Sequence, residues 1–400
     1  KFSGATQGTT YSLTYWSNIA VEQPQFEAAI AAELLRLDKL MSNYRDDSVI
    51  EQFNQSQSTD PIEVGAEIVR LVNIAKTISA ATAGCYDPTI KPLFTLWGFR
   101  GDKLSIPAAA QLAELAPQQG ISKVDVVNNS TLQKQQPKLS IDLSSIAQGY
   151  SVQRLTEVAE QFGIDNYLIE IGGELQTRGR KPDGSNWRVA IERPLPGTQQ
   201  LQKIVQVKQT APLAIMTSGT YRHYYDQDGV RYSHVLDART GSPVSHGTVS
   251  TTILIPDPTW GDAWSTAFLC MGSEQGLKVA DKLNLPVLFI DQQGADFIEK
   301  PSKALTEALK YLPAELRKTL TYDRGREMSE HKILEEDLGI DVYFCDPHSP
   351  WQKGTCENMN GLIRQYLPKG IDLNQADQHY LNQVAMSLNT RPRKALDWLT

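Results

Sequence analysis

No run of apolar residues in this 400-residue chain approaches the roughly 18 to 20 that a helix needs to cross a bilayer. Basic residues are not in surplus either. Lys and Arg number 39 against 46 Asp and Glu, a net charge of -7, which excludes a generally cationic nucleic-acid-binding surface. The deficit persists to the end of the chain, where residues 303–400 carry 13 basic and 14 acidic side chains. Cysteine is scarce: Cys85, Cys270, Cys345 and Cys356 form no CxxC pair and no zinc-ligand spacing, so buried free thiols are expected. There is no internal repeat and no low-complexity linker. The chain opens on KFSGATQGTT, without an initiator Met or a signal-type apolar segment, as expected of a chain that has lost a leader or of a fragment.

What is present is the composition of a globular protein, 40% hydrophobic and 21% charged, with a mean hydropathy of -0.35. The length exceeds one ordinary core, so two or more domains are expected. TTYSLTYW (9–16) alternates and is rich in β-formers, which reads as a strand. Helical spacing follows from Pro24 to about Met41 and again over roughly 63–82, ending at Gly84. KLSIDL (138–143) reads as a short strand running into the helix SSIAQGYSVQRLTEVAEQF, and NYLIEIGG as a buried strand closed by a glycine pair. Further strands are expected between about 187 and 256, a helix from Trp260 across AWSTAFLCM, and a last hairpin in VLFIDQQGADFI. Strands and helices mix without strict alternation, which defines an α+β fold.

Three constellations carry possible chemistry. Asp262 and Thr266 lie at i and i+4, hence on one helix face, where a carboxylate and a hydroxyl suit a hard cation. An exposed Asp near a helix start, favoured by the dipole, is the plainer reading of that spacing. Asp142 precedes a helix whose free N–H groups suit phosphate oxygens, although an Asp-Leu-Ser-Ser turn also caps a helix. His234 and Asp237 end a strand before the turn RTG, and a His there either exchanges protons or serves structure.

GATQGTTY, MSNYRDDSVIEQFN, GCYDPTIKPLFTLWGF, IDLSSIAQGY, EIGGELQTRG, MTSGTYRHYY, SHVLDARTGSPV and DAWSTAFLCMG follow one another in this order. The series resembles the ApbE family, the FAD:protein FMN transferases, over residues 1–302. The resemblance implies a magnesium-dependent reaction that splits FAD at its pyrophosphate. FMN passes to a Thr or Ser hydroxyl of an acceptor flavoprotein, and AMP is released. It implies a flavin site that includes Gln7, Tyr44, Cys85, Tyr86, Asp87, Asp142, Gln148 and Leu236. It further implies a metal held by the side chains of Asp262 and Thr266 with backbone oxygens of Ser145 and Ser265, and His234 as the group handling the acceptor proton or the transferring phosphate. The family works at the periplasmic side of the inner membrane, usually lipid-anchored. The chain departs from its pattern at Gln7, where Met is common, and at Gln148, where Lys or Glu is common. Both changes touch flavin contacts, so a protein that binds FAD without transfer is the rival expectation.

After Pro301 the texture changes abruptly. The run LTYDRGREMSEHKILEEDLGIDVYFCDPHSPWQKGTCENMNGLIRQYLPKG resembles the C-terminal part of an insertion-sequence transposase of the IS-thirty family. Such enzymes use three carboxylates on an RNase-H-like core to hold two metal ions. Asp323 and Glu357, with thirty-three residues between them, match the second and third. The strands that would carry the first Asp are absent, as is a helix-turn-helix. Residues 303–400 therefore read as a remnant, with vestigial carboxylates and no functional nucleic-acid binding.

Overall fold

The structure, a computed structural model, describes residues 1–309 apart from 102, 196–200, 222, 228 and 295, and beyond them residues 319–322 and 341–344. Strand β1 (Phe2–Thr6) turns into β2 (Thr9–Trp16) at Gln7 and Gly8, whose φ angles of 49° and 73° give the twist a two-residue hairpin requires. Helix α1 (Gln23–Met41) has Pro24 in its first turn, where the missing N–H costs nothing. It buries Phe26, Ile30, Leu34, Leu37 and Met41 along one stripe. Helix α2 (Ala66–Ala81) ends at the left-handed pair Ala83 and Gly84. Helix α3 (Ser144–Gln161) is followed by strands β3 (Asn166–Ile171), β4 (Glu174–Arg178), β5 (Leu213–Gly219) and β6 (Thr248–Ile255). Helix α4 (Pro258–Leu283) then leads to the hairpin of β7 (Val287–Gln293) and β8 (Asp296–Pro301).

These eight strands form one sheet in which the spatial order is the chain order and every neighbouring pair is antiparallel. Side chains alternate across it. Leu13, Ile169, Met216, Ile253 and Phe289 join the main core with the four helices. Ile215, Leu288 and Ile290 point the other way, towards apolar clusters that include Trp187, Val189 and Val207 of the hairpin Trp187–Glu192/Leu201–Val207. The expected α+β class is what the chain adopts.

Three expectations are corrected. KLSIDL is not a strand: residues 139–143 belong to no ladder, because their backbone groups have other partners. Asn54 brackets Ile141, accepting from its N–H at 2.7 Å and donating to its carbonyl at 2.9 Å, while the Asp142 N–H goes to the Pro88 carbonyl at 2.7 Å. Helix α4 runs well past the expected segment, with a break at Gly272 (φ 70°, ψ 170°). A Cβ there would lie 2.7 Å from the His246 ring, and that ring bonds the Cys270 carbonyl at 3.1 Å. Finally, Cys85 and Cys270 are not free thiols but a disulfide, with Cα atoms 6.1 Å apart across 185 residues of sequence. One cysteine follows α2 and the other lies on α4, so no local spacing announces the pair.

The first compact unit extends to Leu309, seven residues past the boundary drawn from sequence. The Ser302 hydroxyl donates to the Leu285 carbonyl at 2.7 Å and accepts from the Val287 N–H at 3.0 Å, and Leu305 is buried. In the second unit (Lys310–Thr400) the described residues are two short strands, Thr319–Tyr322 and Asp341–Phe344, paired in parallel. Asp323 and Glu357 lie outside the described residues.

Candidate active site

A cavity of about 380 Å³ opens on the first unit, within the range of small-molecule sites. The loop after α2 supplies Cys85, Tyr86 and Asp87, and the start of α3 supplies Ser145 and Gln148. Glu174, Thr217 and Ser218 come from β4 and β5, His234 and Leu236 from the segment before β6, and Asp262 and Thr266 from α4. Tyr44, Phe99, Arg100 and Asp142 complete the wall. Eleven residues singled out from sequence thus converge, counting Tyr44, the three of the loop, Asp142, Ser145, Gln148, His234, Leu236, Asp262 and Thr266.

Two do not. The Gln7 amide turns to α3, where it donates to the Ser151 hydroxyl at 2.6 Å. Ser265 is fully buried beside the cavity: its hydroxyl donates to the Asp262 carbonyl at 2.9 Å and lies 2.7 Å from the Ser218 hydroxyl of β5. Its carbonyl accepts from the Thr251 hydroxyl at 2.7 Å.

Asp262 is the electrostatic centre. Its carboxylate is buried, and its Oδ2 accepts from the Gly149 N–H at 2.7 Å. Burial pushes its pKa up to about 7, against the pull of the Gly149 and Gln148 N–H groups. Gly149 makes this approach possible, since a Cβ would sit 2.3 Å from the Pro258 carbonyl oxygen and 2.5 Å from the Asp262 Cβ. Thr266, one turn along α4, bonds Ser218 at 3.1 Å, so oxygen donors gather on this side of the cavity.

The other two acidic residues named from sequence are already committed. Asp142 accepts from the Ser144 N–H at 2.9 Å, from Asn43 Nδ2 at 2.8 Å and from Arg100 Nη2 at 2.8 Å. Asp142 stands one residue before the helix cap, Leu143, so its bond to Ser144 closes a turn ahead of the helix, alongside an ion pair with Arg100. Ile146 and Ala147 give their N–H groups to the Leu143 carbonyl, so much of the helix start is satisfied internally. Asp87 binds the N–H and hydroxyl of Thr89 through Oδ1 and the Ile121 N–H through Oδ2, which fixes the loop. Burial raises its carboxyl above the usual range.

His234 is half-buried, and its Nδ1 donates to the His223 carbonyl at 2.8 Å. That bond leaves Nε2 as the basic nitrogen of the neutral ring. Burial holds its pKa below the ordinary imidazole value, which keeps the ring neutral at physiological pH. The His223 ring stacks on it at 5.6 Å, with Phe99 edge-on to His223. At the rim, Arg100 lies over the exposed Tyr44 ring at 5.5 Å.

Sequence reasoning did not single out Arg100, Glu174, Ser218 or His223. Glu174, Ser218 and His223 fall inside marked stretches (EIGGELQTRG, MTSGTYRHYY) and Arg100 directly follows another (GCYDPTIKPLFTLWGF), so the segments were largely legible and the individual roles were not.

Together these features define a small-molecule site on an α+β scaffold, aromatic at its rim and carrying a buried carboxylate whose partners among the described residues are main-chain N–H groups. The sequence profile of the ApbE family matches residues 7–289, and the chain belongs to that family. It is 36% identical over 305 residues to the FAD:protein FMN transferase of Vibrio cholerae, covering 76% of this chain and 90% of that protein. The Escherichia coli K12 protein of the same name is 36% identical over 299 residues, covering 74% and 84%. Among solved structures, the flavin transferase ApbE from Vibrio cholerae superposes with a TM-score of 0.70 at 36% identity, over 76% of this chain and 97% of that one. The apo flavinyl transferase ApbE of Pseudomonas stutzeri gives 0.70 at 34%, over 76% and 95%. A separate segment of 93 residues is 62% identical to the transposase for insertion sequence element IS1086 of Cupriavidus metallidurans, covering 23% of this chain and 27% of that protein.

Proposed function

We propose that the chain transfers FMN from FAD to a Thr or Ser hydroxyl of an acceptor flavoprotein, with magnesium, and releases AMP. The activity named for its relatives supports the reaction class. The observation that carries the site assignment is Asp262, a buried carboxylate raised to about pKa 7 on a cavity wall where the neighbouring donors are oxygens. Such a group fits a hard divalent cation. Asp262 and Thr266 would hold it, with a contribution from the Ser145 carbonyl. When bound it neutralises charge on the pyrophosphate.

The chain's own residues do the rest. His234 Nε2 takes the proton of the acceptor hydroxyl as its oxygen bonds the FMN phosphorus. The bond from that phosphorus to the bridging oxygen breaks, and AMP departs with the bridging oxygen. Arg100 and Tyr44 orient the bound flavin nucleotide at the rim. Catalysis of this kind needs positioning and charge neutralisation more than covalent help from the protein. The Cys85–Cys270 disulfide is in keeping with an oxidising compartment, and we propose the periplasmic side of the inner membrane, as the family resemblance implies. The segment after Leu309 reads as a transposase remnant that plays no part in flavin transfer.

The test is AMP release from FAD by the purified chain, with magnesium or with chelator, together with in-gel flavin fluorescence of a co-expressed acceptor. Magnesium-dependent AMP and a fluorescent acceptor band are expected. FAD binding with neither would establish the rival, a flavin-holding protein without transfer.

A further inference from the structure

Lys134 ends the short strand Thr131–Lys134 and has no solvent exposure. Lysines rarely lie so deep without a carboxylate partner. Here the ammonium meets four main-chain carbonyls instead, those of Asn54 at 3.3 Å, Ser56 at 2.6 Å, Pro137 at 3.1 Å and Leu139 at 3.2 Å. The face of Phe53 lies 5.1 Å away. A ring of carbonyl dipoles around one positive charge is how proteins bind a bare potassium ion. Burial pushes the ammonium down to about 8, so desolvation is only partly offset by this company.

What the cage grips matters more than the charge itself. Pro137 and Leu139 lie on the ladderless stretch that leads to Asp142 and Ser145. Asn54, whose carbonyl is in the cage, brackets Ile141 of the same stretch with its side chain. The next residue, Asp142, is tied through its N–H to the Pro88 carbonyl of the adjoining loop. A segment without sheet partners is thus positioned by two buried side chains.

We infer that Lys134 is a tethered monovalent cation, and that its carbonyl cage, once the side chain is removed, binds a free potassium or ammonium ion on which the shape of the 139–145 cavity wall depends. Lys134 is a positioning residue: it touches neither substrate nor the reacting atoms. The affinity arm of the test rests on the flavin reading, and the melting arm does not.

Lys134→Ala is compared with the unaltered full chain in potassium, ammonium and choline chlorides at equal ionic strength of about 0.1 M. In choline the variant is expected to bind FAD about tenfold more weakly, as loss of a charged hydrogen-bonding centre implies. Potassium or ammonium restores the affinity and raises the melting temperature of the variant, while the unaltered chain responds to neither. Equal affinity and equal melting of the variant in all three salts overturns the inference, and so does a variant that fails to fold in every salt. Lys134→Met fills the cage with an uncharged stem, and it should fold, bind FAD weakly and ignore the salts. A Met variant that binds FAD like the unaltered chain refutes the positioning role. If the unaltered chain binds no FAD, the flavin reading fails, and cation-specific melting of Lys134→Ala still decides the cage.

Discussion

Replacing Gly149 by Ala should disable the site from a position that does not line the cavity. The added Cβ would lie 2.3 Å from the Pro258 carbonyl oxygen, 3.0 Å from the Pro258 carbonyl carbon and 2.5 Å from the Asp262 Cβ. Those neighbours are main chain or the first side-chain atom, so no rotamer change relieves the clash. Helix α3 must back away from α4 by about an ångström, and overpacking of this kind costs about 1–3 kcal/mol. Alanine's better helix propensity returns about 1 kcal/mol, leaving a net loss of up to about 2 kcal/mol. The same displacement draws the Gly149 N–H away from Asp262, whose carboxylate then loses a donor it depends on while remaining buried. Its pKa should rise further and its readiness to hold a cation should fall. Denaturant unfolding measures the first effect, and the magnesium dependence of AMP release measures the second. Gly149→Ala as stable as the parent, with an unchanged magnesium requirement, would refute the helix-crossing argument.

The pKa of about 7 at Asp262 fixes a pH effect. An unfolded Asp titrates near about 3.9, so between about pH 4 and 7 the folded chain holds the extra proton, and this group's contribution to stability falls as pH rises. Metal-free parent should therefore lose melting temperature relative to Asp262→Asn across that window, and magnesium at about pH 8 should stabilise the parent alone. Parallel melting curves would show that the carboxylate is not in the state we assign. The Cys85–Cys270 bond closes a loop of 185 residues, for which chain entropy gives up to about 5 kcal/mol. A dithiol reductant should lower the melting temperature of the parent and leave a Cys85→Ala, Cys270→Ala double variant unmoved. Truncation after Leu309 should preserve flavin transfer, whereas truncation after Pro301 removes Ser302 and Leu305 and should destabilise the unit measurably. Equal stability of the two truncations would restore the earlier boundary. Glu357→Gln should leave every activity of the full chain unchanged, and specific DNA nicking abolished by that substitution would overturn the remnant reading.

Local rules were enough for elements whose partners are their own neighbours. The stripe of α1, the alternation of β2 and the hairpin of β7 and β8 are each fixed by spacing within one segment. They failed where a segment's hydrogen bonds go to side chains far along the chain. Residues 139–143 have the alternation of a strand, yet Asn54 and Lys134 occupy the groups a ladder would use. Nothing in the run TLQK distinguishes a lysine that reaches four carbonyls from one that reaches water. The site divided in the same way. Motif order brought eleven residues to one cavity, but whether a carboxylate was spare or already bonded was visible only in three dimensions. Asp262 has main-chain N–H partners and, among the described residues, no cationic side chain beside it, whereas Asp87 is spent on Thr89 and Ile121. Gln7, which the resemblance implies as a flavin contact, bonds the Ser151 hydroxyl of α3 in this structure.

A sheet whose spatial order repeats its chain order places its first and last strands at the two margins. β8 is the last, and the chain passes from it into the short helix Lys303–Leu309 with every ladder of the sheet already closed. Foreign sequence joined beyond that helix interrupts no strand pairing and separates no two residues of the cavity. The same accident within the long excursion between β5 and β6 would part His234 and Leu236 from the rest. Sheet topology of this kind tolerates an added segment at one end and rejects it from the middle.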